Sequence, residues 1–241
     1  MVLINPGAVE GGAAAPPFCI DSTETTNAEY AQFVNIVGDA GVLEGTPSAC
    51  SALKGAVPSQ SWPYAQGQDQ APVQFVNWCQ AYAYCKWAGK RMCGAIKGPD
   101  SEGGALFYGS KVDPTQSQWF NACSRGGEQA YPYGPTFQPF CGGSIEAGVP
   151  GPQPVLYYPK CVGPVSGLYD MSGGVREWTD SCAAQTNNGV SDGAEGPGDQ
   201  CVAMGGAYSS QNAADLACDS VRNWQRNSTV GDIGIRCCLD L

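Results

Sequence analysis

Thirteen cysteines, scattered at positions 19, 50, 79, 85, 93, 123, 141, 161, 182, 201, 218, 237 and 238, constrain this chain more than any other feature. Structural zinc sites need C-x-x-C knuckles in pairs, and no C-x-x-C occurs here. Cysteines spread in this way through an acidic, glycine-rich chain read as a disulfide framework made in an oxidising compartment. Thirteen is odd, so at least one thiol is free, paired elsewhere or bound to a ligand. The 33 glycines and 18 prolines add long irregular stretches for that framework to pin.

Histidine is absent. That removes nucleophile triads with a histidine base, imidazole-ligated zinc and facial-triad iron. The net charge of −10 comes without a basic stripe, which argues against nucleic acid and anionic membranes as partners. No run of eighteen apolar residues exists to span a bilayer. The first residues lack a charged segment followed by a long apolar one, so the signal peptide of an exported protein would lie outside this chain. The expected location is secreted, cell-surface or periplasmic.

Apolar spacing at Tyr30, Phe33, Val34 and Val37 predicts a helix over 24–37, with Thr26 or Asn27 as its cap. Residues 77–88 predict a second, capped by Asn77 and stopped by Gly89. Its aromatics Trp78, Tyr82, Tyr84 and Trp87 read as core. A third short helix is expected over 113–124. Stretches 131–166 and 183–200 carry turn chemistry such as YPYGP, NNG and EGPGD. No repeat or composition break divides the chain, so one domain over 1–241 is expected.

Seven segments, in order, carry a resemblance. They are FCIDSTETTNAEYAQFVN (18–35), APVQFVNWCQAYAYCKWAGKRMC (71–93), SQWFNACSRGG (117–127), YPYG (131–134), GLYDMSGGVREWTD (167–180), AMGGAYSS (203–210) and GIRCC (234–238). Together they resemble the formylglycine-generating enzyme, or sulfatase-modifying factor, family. That resemblance implies a coil-rich α+β fold of C-type lectin-like type, stapled by disulfides. It also implies bridges Cys85–Cys237 and Cys123–Cys218, the first closing a loop worth up to about 5 kcal/mol in the chain-entropy model. Bridges 141–161 and 182–201 are guesses beside these.

The resemblance further implies copper held by two cysteines near the C-terminus, since soft thiolates select Cu(I). Here Ser210 stands where the first thiolate belongs, and the next cysteine, Cys218, is taken by its bridge. Met204 replaces an arginine, Ala207 a serine, Gly174 an asparagine and Arg176 a tryptophan of the family pattern. Copper is therefore not expected. The iron-dependent branch of the fold needs histidines and is excluded as well.

A calcium motif survives by resemblance: Asp170, the carbonyls of Gly173 and Val175, and Glu177, all oxygen donors suited to a hard cation. A second family calcium site would fall near 141–160, where Glu146 is the single carboxylate, and it is expected to be missing or altered. Asp192, Glu195 and Asp199 read as a solvated loop. Loop aromatics Tyr131, Tyr133, Tyr157, Tyr158, Tyr208 and Trp224 are either core of a coil-rich fold or the lining of a sugar or peptide groove. The candidate ligand cleft is Arg176, Tyr208, Ser210 and Trp224.

The leading expectation is a non-catalytic, calcium-stabilised binding module whose partner is an extracellular protein, peptide or glycan, or the chain itself. The alternatives are an enzyme with a rewritten site that uses the odd cysteine beside Ser210, and a self-assembling surface protein. A further branch is a retroelement-diversified binder with its variable stretch over 204–234.

Overall fold

The computed structural model describes residues 1–7, 15–39, 45–97, 104–142, 151–183, 186–187, 190–191 and 196–241. Two small sheets meet three short helices, and coil makes up the rest. In the first sheet the order is β1 (Val2–Ile4), β2 (Phe18–Ile20), β10 (Cys237–Asp240), β3 (Arg91–Met92), every pair antiparallel. The second runs β8 (Val221–Gln225), β7 (Gln200–Met204), β4 (Arg176–Ala183), β9 (Ile233–Gly234). Its β4–β9 pair is parallel, and the β4–β7 ladder is bulged between Trp178 and Cys182. A two-stranded ribbon, β5 (Thr186–Asn187) with β6 (Val190–Ser191), extends from the β4–β7 connection.

Local chemistry sets the helix starts. Helix α1 (Asn27–Val37) is capped by Thr26, whose hydroxyl accepts from the Glu29 amide while Glu29 reaches back to the Thr26 amide. Helix α2 (Trp78–Trp87) repeats this box with Asn77 and Gln80. Both caps lie within the sequence reading, although α1 begins three residues after Glu24. Helix α3 (Gln118–Ser124) is shorter than the expected 113–124. Asp113 folds its carboxylate onto the Thr115 amide and hydroxyl, making a turn, and Ser117 then caps the helix.

The core has two parts. Tyr30, Phe33, Trp78, Tyr84, Trp178 and Ile233 pack in one, and Phe18, Ile20, Trp119, Leu168, Val202 and Met204 in the other. Trp87 departs from the expected core role: it is the last residue of α2, 41% exposed, with its ring against Phe33 and Tyr84. Asp199 departs the other way. It is buried and paired with Arg226 at 3.0 Å, and the Arg226 guanidinium lies 4.4 Å over the Trp78 ring. Its expected loop companions Asp192 and Glu195 lie outside the described residues, as does Glu146.

Six disulfides join twelve cysteines: 50–79, 85–237, 93–238, 123–218, 141–161 and 182–201. Cys19 is the thirteenth and is unpaired. Adjacent Cys237 and Cys238 point to opposite faces of β10, as strand alternation requires, so each staples a different part of the core. No helix among the described residues is long and apolar enough to cross a membrane.

Removing the Cys85–Cys237 bridge, which closes 152 residues, is expected to cost about 3–5 kcal/mol. Urea unfolding of the Cys85→Ala/Cys237→Ala double variant checks it. Thiol titration of the denatured, unreduced wild type should count one thiol per chain.

Candidate functional site

Two polar centres flank the start of β4. The inner one surrounds Arg236, which has no solvent exposure. Its Nε donates to Glu177 Oε1 at 2.8 Å, and its two terminal nitrogens donate to the carbonyls of Asp21, Tyr169 and Asp170 at 2.8–3.0 Å. The second Glu177 oxygen accepts from the Trp119 indole N–H. Glu24 completes the centre: its Oε1 accepts from the Val175 amide at 2.6 Å. Asp170, at a left-handed φ of 55°, accepts from the Leu156 amide at 2.8 Å. Glu24, Asp170 and Glu177 are all buried, at 2%, 6% and 1% exposure, so three carboxyls face one guanidinium.

The turn that carries them requires glycine. A Cβ on Gly173 would fall 1.7 Å from the Cys141 carbonyl oxygen, and one on Gly174 would fall 2.2 Å from Glu24 Oε1. A side chain at 174, such as the asparagine of the family pattern, would have to displace the Glu24 carboxylate.

Burial is the main force on these acids. It raises Glu24 well above the ordinary 4.5, and the negative charges of Asp170 and Glu177 push the same way. It also raises Glu177 and Asp170, with Arg236 pulling both back. The four donor groups read from the sequence (two carboxylates and two carbonyls) fall within residues 170–177, and they are hard oxygen donors of the kind calcium takes. Among the described residues no group of three or more acidic, cysteine or histidine side chains is gathered as a metal cluster. Glu177 already accepts from Arg236 and Trp119, so a cation would use its remaining lone pairs. The sequence reading missed Glu24 and Arg236 as members of this centre. Both sit in segments it singled out, but Glu24 was absorbed into the helix pattern and Arg236 passed over beside two cysteines.

The outer centre is a cleft of about 290 Å³ on the other side of β4. Arg176 forms its floor, buried to 4% exposure. The guanidinium donates to the Gly205 carbonyl, to Ser220 Oγ at 3.2 Å and to Ser210 Oγ at 3.3 Å. Ser210 also accepts from the Ala207 amide at 3.0 Å, which places it as a support for the floor. Asp232 walls one side, its Oδ2 accepting from Ser209 Oγ at 2.7 Å. Arg222 and Trp224, two apart on edge strand β8, point to the same face, and Arg222 is paired with Asp215 at 2.7 Å.

Three of the four residues expected in the cleft therefore line it: Arg176, Ser210 and Trp224. Tyr208 stands behind the rim, its amide donating to the Gly174 carbonyl at 2.8 Å and its hydroxyl bonded to the Gln74 side chain. Among the other loop aromatics, Tyr131 and Tyr133 stack on each other and Tyr157 is exposed, all away from this cleft. The reading that placed the odd cysteine beside Ser210 is corrected. Cys19 lies on β2 between Leu3 and Leu239 in the first sheet, and none of the residues lining the cleft is a cysteine.

A disulfide-stapled α+β scaffold with a polar cleft beside a buried acidic turn defines the formylglycine-generating enzyme type of fold. The chain belongs to the sulfatase-modifying factor enzyme 1-like domain family, which matches residues 1–241. It is 27% identical to the formylglycine-generating enzyme of Mus musculus over 270 residues, covering 92% of this chain and 66% of that protein. The chain thus spans about two thirds of that relative's length. It is 36% identical to the inactive C-alpha-formylglycine-generating enzyme 2 of Bos taurus over 124 residues, 46% of this chain and 33% of that protein. The structure of Treponema denticola variable protein 1 shares the fold, with a TM-score of 0.57 at 17% identity, over 100% of this chain and 94% of the other.

A raised carboxyl favours the folded state below its unfolded pKa, and that advantage is lost as pH rises through the folded value. In chelator, Glu24→Gln should therefore gain stability relative to wild type as pH rises from about 4.5 to 8. Urea midpoints measured across that range check the sign. Arg236→Met, which leaves three acids without their guanidinium, is expected to cost about 3–5 kcal/mol.

Proposed function

We propose that this protein is a non-catalytic binding module of the extracellular or periplasmic space, built on the formylglycine-generating enzyme scaffold and stabilised by calcium. The observation that carries the reading is the floor of the cleft. A buried guanidinium, Arg176, is bonded to Ser210, and Ser210 holds the place where the family pattern has its first copper thiolate. A serine hydroxyl is a poor ligand for Cu(I). Twelve of the cysteines are committed to bridges and the last lies in the other sheet. The similarity to an inactive relative supports the same direction, and the six bridges support an oxidising compartment.

Calcium in this reading is held by Asp170 and Glu177 and the carbonyls of Gly173 and Val175. It supplies positive charge to a turn where carboxyls outnumber guanidinium groups, and it leaves the cleft on the far side of β4 to the ligand. The ligand site consists of Arg176, Ser210 and Trp224, with Tyr208 bracing the rim.

The test is a titration of the disulfide-intact protein with Cu(I) against a competing chelator, alongside incubation with a cysteine peptide and oxygen. Neither stoichiometric copper binding nor loss of the peptide thiol is expected. Stoichiometric binding with thiol oxidation returns the protein to the enzymes. Calcium at a hundredfold excess over its Kd should add about 2.7 kcal/mol to stability. Asp170→Asn should abolish most of that gain while leaving the calcium-free protein folded, because the Glu177–Arg236 pair is untouched.

A further inference from the structure

The walls of the outer cleft are balanced in charge. Arg176 lies at the floor facing Asp232, and Arg222 is tied to Asp215 at the rim at 2.7 Å. Two guanidinium groups and two carboxylates leave no net field for an ion. An anion entering would meet both aspartates, and a cation both arginines, each like-charge contact being paid without a compensating excess of opposite sign. What the walls do supply is a dense set of fixed donors beside fixed acceptors.

Two further features narrow the chemistry. Asp232 Oδ1 is shielded from solvent and lacks a hydrogen-bond partner, although its sister oxygen accepts from Ser209. That oxygen is uncommitted, and a turn of the side chain would offer it to a donor in the cleft. Trp224 gives the cleft an indole that is 38% exposed, a flat apolar wall on an otherwise polar pocket. A group that donates to a carboxylate, accepts from a guanidinium and presents C–H bonds to a ring is a ring of carbons bearing hydroxyls. Each hydroxyl is at once donor and acceptor, so it matches alternating arginine and aspartate without carrying charge. A volume of about 290 Å³ suits one such ring.

We propose that this cleft binds a neutral hexose unit, stacked on Trp224 and hydrogen-bonded between Asp232 and the arginines. The inference rests on the binding-module reading and gives that site its ligand class.

Saturation-transfer NMR on the full chain tests it, with methyl glucoside, mannoside, galactoside and N-acetylglucosaminide as probes beside N-acetyl-lysine methylamide and N-acetyl-glutamate methylamide. Transfer to at least one neutral glycoside is expected, with the ring C–H protons saturated most strongly. Trp224→Ala and Asp232→Asn should each weaken it tenfold or more, while circular dichroism shows both variants folded at the temperature of the measurement. Transfer to none of the glycosides overturns the proposal, as does glycoside binding that survives both substitutions. Binding of a charged amide in the same cleft overturns the sugar class but leaves the binding-module reading standing. Oxidation of the cysteine peptide would remove both.

Discussion

Arg236 is the interaction on which the rest of the structure depends. A fully buried guanidinium carries several donors in a rigid plane, and each must be satisfied inside the protein. Here they reach the loop after β2 through Asp21, the 169–170 turn through two carbonyls, and β4 through Glu177. Three segments far apart in sequence are thereby fixed about one side chain next to β10. Replacing such a pair by apolar groups can be neutral, but removing one partner is not, because the other charge is left buried. The low-dielectric setting is also why Glu24 and Asp170, lying close by, hold their protons more tightly than free acids.

The strand that carries this arginine's neighbours explains how so much coil stays folded. Cys237 and Cys238 are consecutive, so the two-residue period of a strand sends one to α2 and the other to the segment after β3. The bridges close loops of 152 and 145 residues. Cross-links of that span remove conformations from the unfolded chain, which offsets the ordering cost of long irregular segments. The shorter bridges 141–161 and 182–201 act locally, the second tying β4 to β7.

The same β4 separates the two polar centres, and strand alternation is again the cause. Glu177 faces the acidic turn and Arg176 faces the outer cleft, so neighbouring residues serve opposite sides of the sheet. Of the departures from the family pattern, Arg176 and Ser210 line the cleft and Ala207 is bonded to Ser210, while Gly174 lies in the inner turn and Met204 in the core. The inner side keeps Asp170, Gly173 and Glu177. A scaffold can thus be preserved while the surface above it acquires different chemistry.

Much of the scaffold was legible in the amino-acid order. The caps at Thr26 (or Asn27) and Asn77 are local signals, and the cysteine spread announced a stapled, coil-rich fold; the reciprocal bonds of Glu29 and Gln80 came with the structure. The ordered family motifs added Cys85–Cys237 and the acidic turn. Other features were not legible, because they depend on which distant surfaces meet. Burial of Asp199 under Arg226 and Trp78, the exposure of Trp87, the recruitment of Glu24 and Arg236 to one centre, and the removal of Cys19 from the cleft all follow from packing across the chain. The sequence by itself determined the caps of α1 and α2, that at least one thiol is left over, and which donor types exist. Only the tertiary structure decided which charges lie out of water and beside whom, since Coulomb and desolvation energies depend on distance and burial, and neither is a property of position along the chain.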